Sequence, residues 1–133
     1  MNWIGMWSEH AALYLQVLSL ITLLAFSLPI LLMPAKWAHM LQWKLPDDTD
    51  LCWYFARCLG SFALVTNLFF FRAAWTGFGT EVLMQFFAAF CLMMVLVHIW
   101  GALERTQPWT ETAEIGLWLA FLVLTLLCLP GTH

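Results

Sequence analysis

Long hydrophobic stretches separated by short polar connections dominate this chain. Four of them, at about residues 8–33, 51–74, 80–103 and 110–129, are each at least 20 residues long and contain few charges. A helix rising 1.5 Å per residue needs about 20 residues to cross about 30 Å of hydrocarbon. Because backbone amides find no water inside a bilayer, each stretch must be helical there. The pattern predicts an all-α fold, an integral membrane four-helix bundle that forms a single transmembrane domain over residues 1–133.

The connections between these stretches differ in length. Residues 75–79 and 106–109 form short links, which predicts that the second, third and fourth helices are antiparallel neighbours. The first connection is longer, and its segment at about 35–45 is apolar enough to predict a short helix lying in the membrane interface. Pro29 is expected to kink the first helix, and Pro34 is expected to end it.

Composition strengthens the membrane interpretation. The chain is 63% hydrophobic and 10% charged, whereas about a quarter of the residues in a soluble domain are charged. A net charge of −3 without a long run of Lys or Arg excludes nucleic acid as a partner and leaves the lipid bilayer. The basic residues are unevenly placed: the first and third connections and adjacent helix ends hold Lys36, Lys44, Arg57 and Arg105, against Arg72 on the other side. This bias predicts both termini on the non-cytoplasmic side.

Small residues form stripes on two of the predicted helices. Small side chains let membrane helices approach closely, because hydrophobicity gives helices in lipid no drive to associate. These positions are therefore predicted to mediate helix packing, within the bundle or against another membrane protein. They are Ala56, Gly60, Ala63 and Asn67 on the second helix, and Gly116 and Ala120 on the fourth.

Ionisable residues near one end of the spans form the candidate binding site. They are Arg57, His98, Glu104 and Glu114. An ionisable group within a span is a functional hypothesis by default. Together they predict a pocket for an acidic lipid headgroup, a quinone oxygen or a carboxylate of a partner. The alternative for Arg57 is structural, with its long stem carrying the guanidinium to the headgroups.

Sequence motifs for catalysis or metal binding are not found. There is no glycine-rich phosphate loop or nucleophile elbow, and no group of Cys, His, Asp and Glu has metal-binding spacing. Haem ligation would require His39 to pair with His98. We therefore expect no metal and no cofactor, and the sequence does not favour an enzyme. A glutamate-dependent exporter is also disfavoured, since the centre of the first helix offers only Ser19 and Thr22 as polar groups.

The segment Ala56-Arg57-Cys58-Leu59-Gly60, with His98 and Glu104 closing the third helix, resembles a known pattern. It is similar to the small four-helix scaffold proteins of sterol biosynthesis and to a broader set of four-helix membrane proteins with Arg-x-x-Gly at this place. The resemblance covers about half the chain and implies a non-catalytic organiser that tethers membrane enzymes. His98 and Glu104 are more widely spaced here than in that pattern.

Three functions follow from these observations. The leading prediction is an accessory or scaffold membrane protein that packs against larger membrane partners or forms a homo-oligomer. The alternative is a binder or carrier of a small lipophilic molecule, such as a lipid, sterol or quinone, in a pocket floored by Arg57 and His98. A small transporter or membrane enzyme is the third.

Overall fold

The computed structural model describes residues 3–131, and all regular secondary structure in that range is helical. Four helices are long and apolar enough to cross a membrane, which confirms the predicted fold class. A shorter helix, at Pro34–Met40, covers only the first part of the predicted interfacial segment. In chain order the helices are α1 at Ser8–Leu32, α2 at Pro34–Met40, α3 at Asp50–Thr76, α4 at Thr80–Glu104 and α5 at Trp109–Cys128.

Local chemistry explains the sharp turn between α3 and α4. Gly77 ends α3 with φ 72° and donates its N–H to the carbonyl of Ala73 at 2.8 Å, and Gly79 precedes α4 with φ 76°. Glycine adopts this left-handed conformation without the steric penalty of a Cβ atom. The chain therefore reverses within a few residues.

The first helix is not uniform along its length. Its residues Leu23–Ser27 form a π-helical turn immediately before Pro29. Proline has no N–H, so the carbonyl of Ala25 loses the partner that it would have in a regular α-helix. Trp37 of α2 donates its indole Nε1 to this carbonyl at 3.1 Å. The irregularity expected at Pro29 is thus a π turn whose freed carbonyl is bonded by the helix that follows.

The long helices pack as two pairs, α1 with α3 and α4 with α5. Gly60 lies at the closest approach of the first pair, where an added Cβ would be 2.6 Å from the backbone nitrogen of Leu31. The pairs meet through a core that includes Leu15, Phe70 and Met84, all of which are almost fully buried. Many large apolar side chains face outward, as expected of helices surrounded by lipid.

An amide bridge fixes the π turn of α1 against α3. The hydroxyl of Thr22 donates to Oδ1 of Asn67 at 3.0 Å, and Nδ2 of Asn67 donates to the hydroxyl of Ser27 at 3.0 Å. Asn67 is buried, and these two bonds employ both ends of its amide. The bridge therefore sets the register between the two helices at the level of the π turn.

Candidate functional site

A cavity of about 350 Å³ lies between the two helix pairs. Residues of all four long helices line it, together with Trp37 of α2 and Trp43 of the connection that follows. Nine of its twenty lining residues are phenylalanine or tryptophan. The aromatic lining residues are Phe26, Trp37, Trp43, Phe62, Phe70, Phe86, Phe87, Phe90 and Trp118.

Three ionisable side chains form the polar end of this cavity. The Nε2 atom of His98 is 3.1 Å from Oε2 of Glu111 and 3.6 Å from Oε2 of Glu114. These side chains are only 5%, 10% and 15% exposed, respectively. The short connection after α4 returns the chain antiparallel, and the two glutamates share one face of α5 because they are three residues apart. We call this group the His-Glu-Glu cluster.

A backbone hydrogen bond fixes the protonation of the His98 ring on one side. Its Nδ1 atom is 2.7 Å from the carbonyl oxygen of Met94, one helical turn earlier. A carbonyl oxygen can only accept, so Nδ1 carries a proton and donates it. The other ring nitrogen, Nε2, is consequently the atom directed at the two carboxylates.

The connection after α2 closes the polar end from the side. The indole Nε1 of Trp43 donates to Oε1 of Glu111 at 2.7 Å. Two further bonds dock this connection on the start of α5: the hydroxyl of Thr110 donates to the carbonyl of Leu41, and Nε1 of Trp109 donates to Oε1 of Gln42 at 2.8 Å. Trp43 therefore directly follows two residues that are docked on α5.

The cluster carries more acid than base. No Lys or Arg in residues 3–131 lines the cavity, so His98 is the sole side chain there that can offset the carboxylates of Glu111 and Glu114. Trp118 lies one turn beyond Glu114 and is 6% exposed, and within residues 3–131 its buried Nε1 makes no hydrogen bond of full length and angle. A buried donor without an acceptor is costly, by about 1–3 kcal/mol. The site thus combines two carboxyl groups, one imidazole and a buried indole N–H.

The structure brings together two of the four residues predicted for the pocket. His98 and Glu114 both line the cavity, whereas Arg57 and Glu104 are exposed and do not. The sequence indicated the depth of Arg57 along its helix, but depth does not determine which side of a helix a residue occupies. The pocket is accordingly acidic rather than floored by an arginine.

Glu111 is the member that sequence reasoning missed. Its position in the first turn of α5 is explained well enough by the helix dipole, which favours an acid there. The available signal was its spacing of three residues from Glu114. No metal-binding spacing is found along the sequence, but one donor atom each from His98, Glu111 and Glu114 lie within 4.8 Å of one another in space. This set joins two helices, so no local motif reveals it.

The predicted packing residues occupy two different environments. Gly60 and Asn67 are buried against α1, and Ala56 and Ala63 are partly buried, with Ala63 lining the cavity. Gly116 and Ala120 are exposed on the outer face of α5, and a Cβ added to Gly116 would meet no atom within 4 Å.

Comparison with known proteins adds no family assignment. No protein-family model matches the sequence, and neither curated proteins nor solved structures show a similar protein. The inference of function therefore depends on the cavity, its aromatic wall and its polar end.

Proposed function

We propose that this chain is a multi-pass membrane protein that binds a small lipophilic molecule in the cavity between its helix pairs. The observation that supports this proposal is a cavity of about 350 Å³, lined mainly by apolar and aromatic side chains, with the His-Glu-Glu cluster at one end. Ligand sites are commonly apolar clefts of about 300–1,000 Å³ in which a few polar groups fix orientation. The basic residues near the polar end lead us to place that end on the cytoplasmic side, with both termini opposite.

The chemistry of the polar end narrows the class of ligand. Two carboxylates without a Lys or Arg repel phosphate and carboxylate headgroups, so an acidic lipid is disfavoured. A sterol or lipid hydroxyl can donate to an oxygen of Glu111 or Glu114. A quinone oxygen can accept from the buried N–H of Trp118. The proposed ligand is thus a molecule with an apolar body and an uncharged oxygen head, of the sterol, lipid-alcohol or quinone class.

Two alanine-to-phenylalanine variants test this proposal. Ala63 lines the cavity, so Ala63→Phe places a ring in the ligand's volume, whereas Ala120→Phe adds the same ring on the outer face of α5. Each protein is purified in detergent with a chelator present, and its organic extract is compared with bulk membrane lipid by mass spectrometry. We expect one lipophilic species enriched with the wild type and Ala120→Phe, and at least tenfold less with Ala63→Phe. No enriched species with the wild type, or equal amounts with all three proteins, would contradict ligand binding.

A scaffold role is the second candidate, and the exposed position of Gly116 and Ala120 favours it. A row of small residues that faces away from the chain's other helices offers a place where a helix of another membrane protein can pack closely. Native mass spectrometry from nanodiscs tests this role. The wild type should carry a second protein at fixed stoichiometry, which Gly116→Leu should lose. A monomer in both samples argues against it.

A further inference from the structure

The His-Glu-Glu cluster has the composition and spacing of a metal site. We propose that His98, Glu111 and Glu114 bind one divalent transition-metal ion of the zinc(II) class at the polar end of the cavity. Two ligands at about 2.1 Å from a tetrahedral zinc ion are about 3.4 Å apart. The distances of 3.1 and 3.6 Å from His98 Nε2 to the two carboxylates are close to this value, and all three donors lie within 4.8 Å of one another.

Charge balance is the first argument for a cation. Buried charges are costly unless they are paired, and the two carboxylates have no Lys or Arg beside them in the described residues. When both carboxylates are ionised, a protonated His98 would offset one negative charge and leave the second without a counter-charge. A divalent ion offsets both, while His98 stays neutral and directs the Nε2 lone pair to the ion.

The hydrogen bonds that His98 and Glu111 make resemble those usually found around metal ligands. Histidines that bind metals usually donate their other ring N–H to a carbonyl or carboxylate, and ligating carboxylates are themselves hydrogen-bonded. His98 Nδ1 donates to the carbonyl of Met94 at 2.7 Å, and Trp43 donates to Oε1 of Glu111 at 2.7 Å. Both bonds leave free the atoms that face the centre of the cluster, namely Nε2 of His98 and Oε2 of Glu111.

Trp118 supplies a further N–H donor beside the cluster. It is 6% exposed and lines the cavity close to the Glu114 carboxylate, and within residues 3–131 its Nε1 makes no hydrogen bond of full length and angle. Three protein ligands leave a fourth position on a tetrahedral ion for water or for an oxygen of a bound molecule. An oxygen bound there can accept from Trp118. That this oxygen is the head of the lipophilic ligand rests on the proposed function, whereas the metal site itself does not.

The donor set also selects the class of metal. Calcium and magnesium prefer sites made of oxygen ligands, whereas imidazole suits zinc and neighbouring transition metals. One imidazole with two carboxylates therefore favours zinc(II), and cobalt(II) can serve as its visible probe.

Metal titration of the full chain tests the site. Protein purified in detergent, treated with a chelator and freed of it, is titrated with Zn²⁺ alone by calorimetry and with Co²⁺ by visible absorption. We expect one ion per chain and the intense Co²⁺ absorption of four- or five-coordinate geometry. His98→Gln and Glu114→Gln should each weaken Zn²⁺ binding by more than the 10- to 100-fold typical of losing an outer-shell partner.

Exposed residues provide matched controls. Glu104→Gln and His39→Gln remove a carboxylate and an imidazole that lie outside the cavity, and both variants should bind Zn²⁺ as the wild type does. Equal binding in His98→Gln, or a loss in the controls, would show an adventitious site and overturn the proposal. If the cluster variants fail to fold by circular dichroism, the wild-type Co²⁺ spectrum decides, since weak six-coordinate absorption or no stoichiometric binding also overturns it.

Under these conditions the metal site and the lipophilic ligand are tested independently of each other. Zinc is titrated without added lipophilic molecule, and lipophilic molecules are extracted with a chelator present. Loss of zinc binding alongside an enriched lipophilic species overturns the metal site alone. Stoichiometric zinc binding without an enriched species overturns the lipophilic ligand alone.

Discussion

Trp37 donates its indole Nε1 to the carbonyl oxygen of Ala25 at 3.1 Å, joining α2 to the π turn of α1. Ala25 lies four residues before Pro29, so its carbonyl is the one that a proline deprives of its regular helical partner. The short helix α2 thereby completes the hydrogen bonding of an irregular span, and it places Trp37 in the cavity wall.

Replacing Trp37 should show how far this bond compensates for the proline. Trp37→Phe removes the donor and should lower the free energy of unfolding in detergent by about 1 kcal/mol. In a Pro29→Ala background the Ala25 carbonyl regains a backbone donor. Trp37→Phe should therefore lower the free energy of unfolding less in that background. A double-mutant cycle of denaturant unfolding measures the difference, and equal losses in both backgrounds would refute the compensation.

Two glycine-to-alanine substitutions should have different effects on the free energy of unfolding. A Cβ at position 60 would lie 2.6 Å from the backbone nitrogen and 2.8 Å from the Cα of Leu31, so Gly60→Ala must push α1 and α3 apart. Its expected destabilisation is about 1–3 kcal/mol. A Cβ at Gly116 meets nothing within 4 Å, and Gly116→Ala should be neutral or slightly stabilising through helix propensity. Equal effects on denaturant unfolding would contradict the close approach at Gly60.

Local sequence predicts the helices and their ends better than it predicts the site. Gly77 and Gly79 mark a chain reversal through their own conformational freedom, and hydrophobic length alone identifies four spans. Pro29 indicated an irregularity in the first helix, but the bond from Trp37 to the Ala25 carbonyl was not foreseen, because it joins residues twelve positions apart. Glu111 was missed for a similar reason, since its significance comes from His98 on another helix.

The amide bridge of Asn67 should contribute measurable stability. Asn67→Ala removes its bonds to Thr22 and Ser27, and a polar bond between helices in lipid is worth about 0.6 kcal/mol on average and about 1.7 kcal/mol at most. Thr66→Ala is the control, because the hydroxyl of Thr66 bonds only the carbonyl of Phe62 in its own helix, at 2.9 Å. Denaturant unfolding should show the larger loss for Asn67→Ala. A loss for Thr66→Ala as large as that for Asn67→Ala would argue against register-setting by the bridge.

Trp43 should increase the zinc affinity of the proposed metal site although it does not bind the ion itself. Trp43→Phe keeps an aromatic ring but removes the 2.7 Å bond to Oε1 of Glu111, which orients the carboxylate. Zinc affinity should fall about 10- to 100-fold with the stoichiometry unchanged. Trp109→Phe is the matched control, because its indole bonds Gln42 instead of a carboxylate. Calorimetry measures the zinc affinity of the wild type and of both variants. An unchanged affinity in Trp43→Phe would mean that the indole only closes the cavity. An equal drop in Trp109→Phe would mean that docking of the whole connection, rather than the bond to Glu111, determines the affinity.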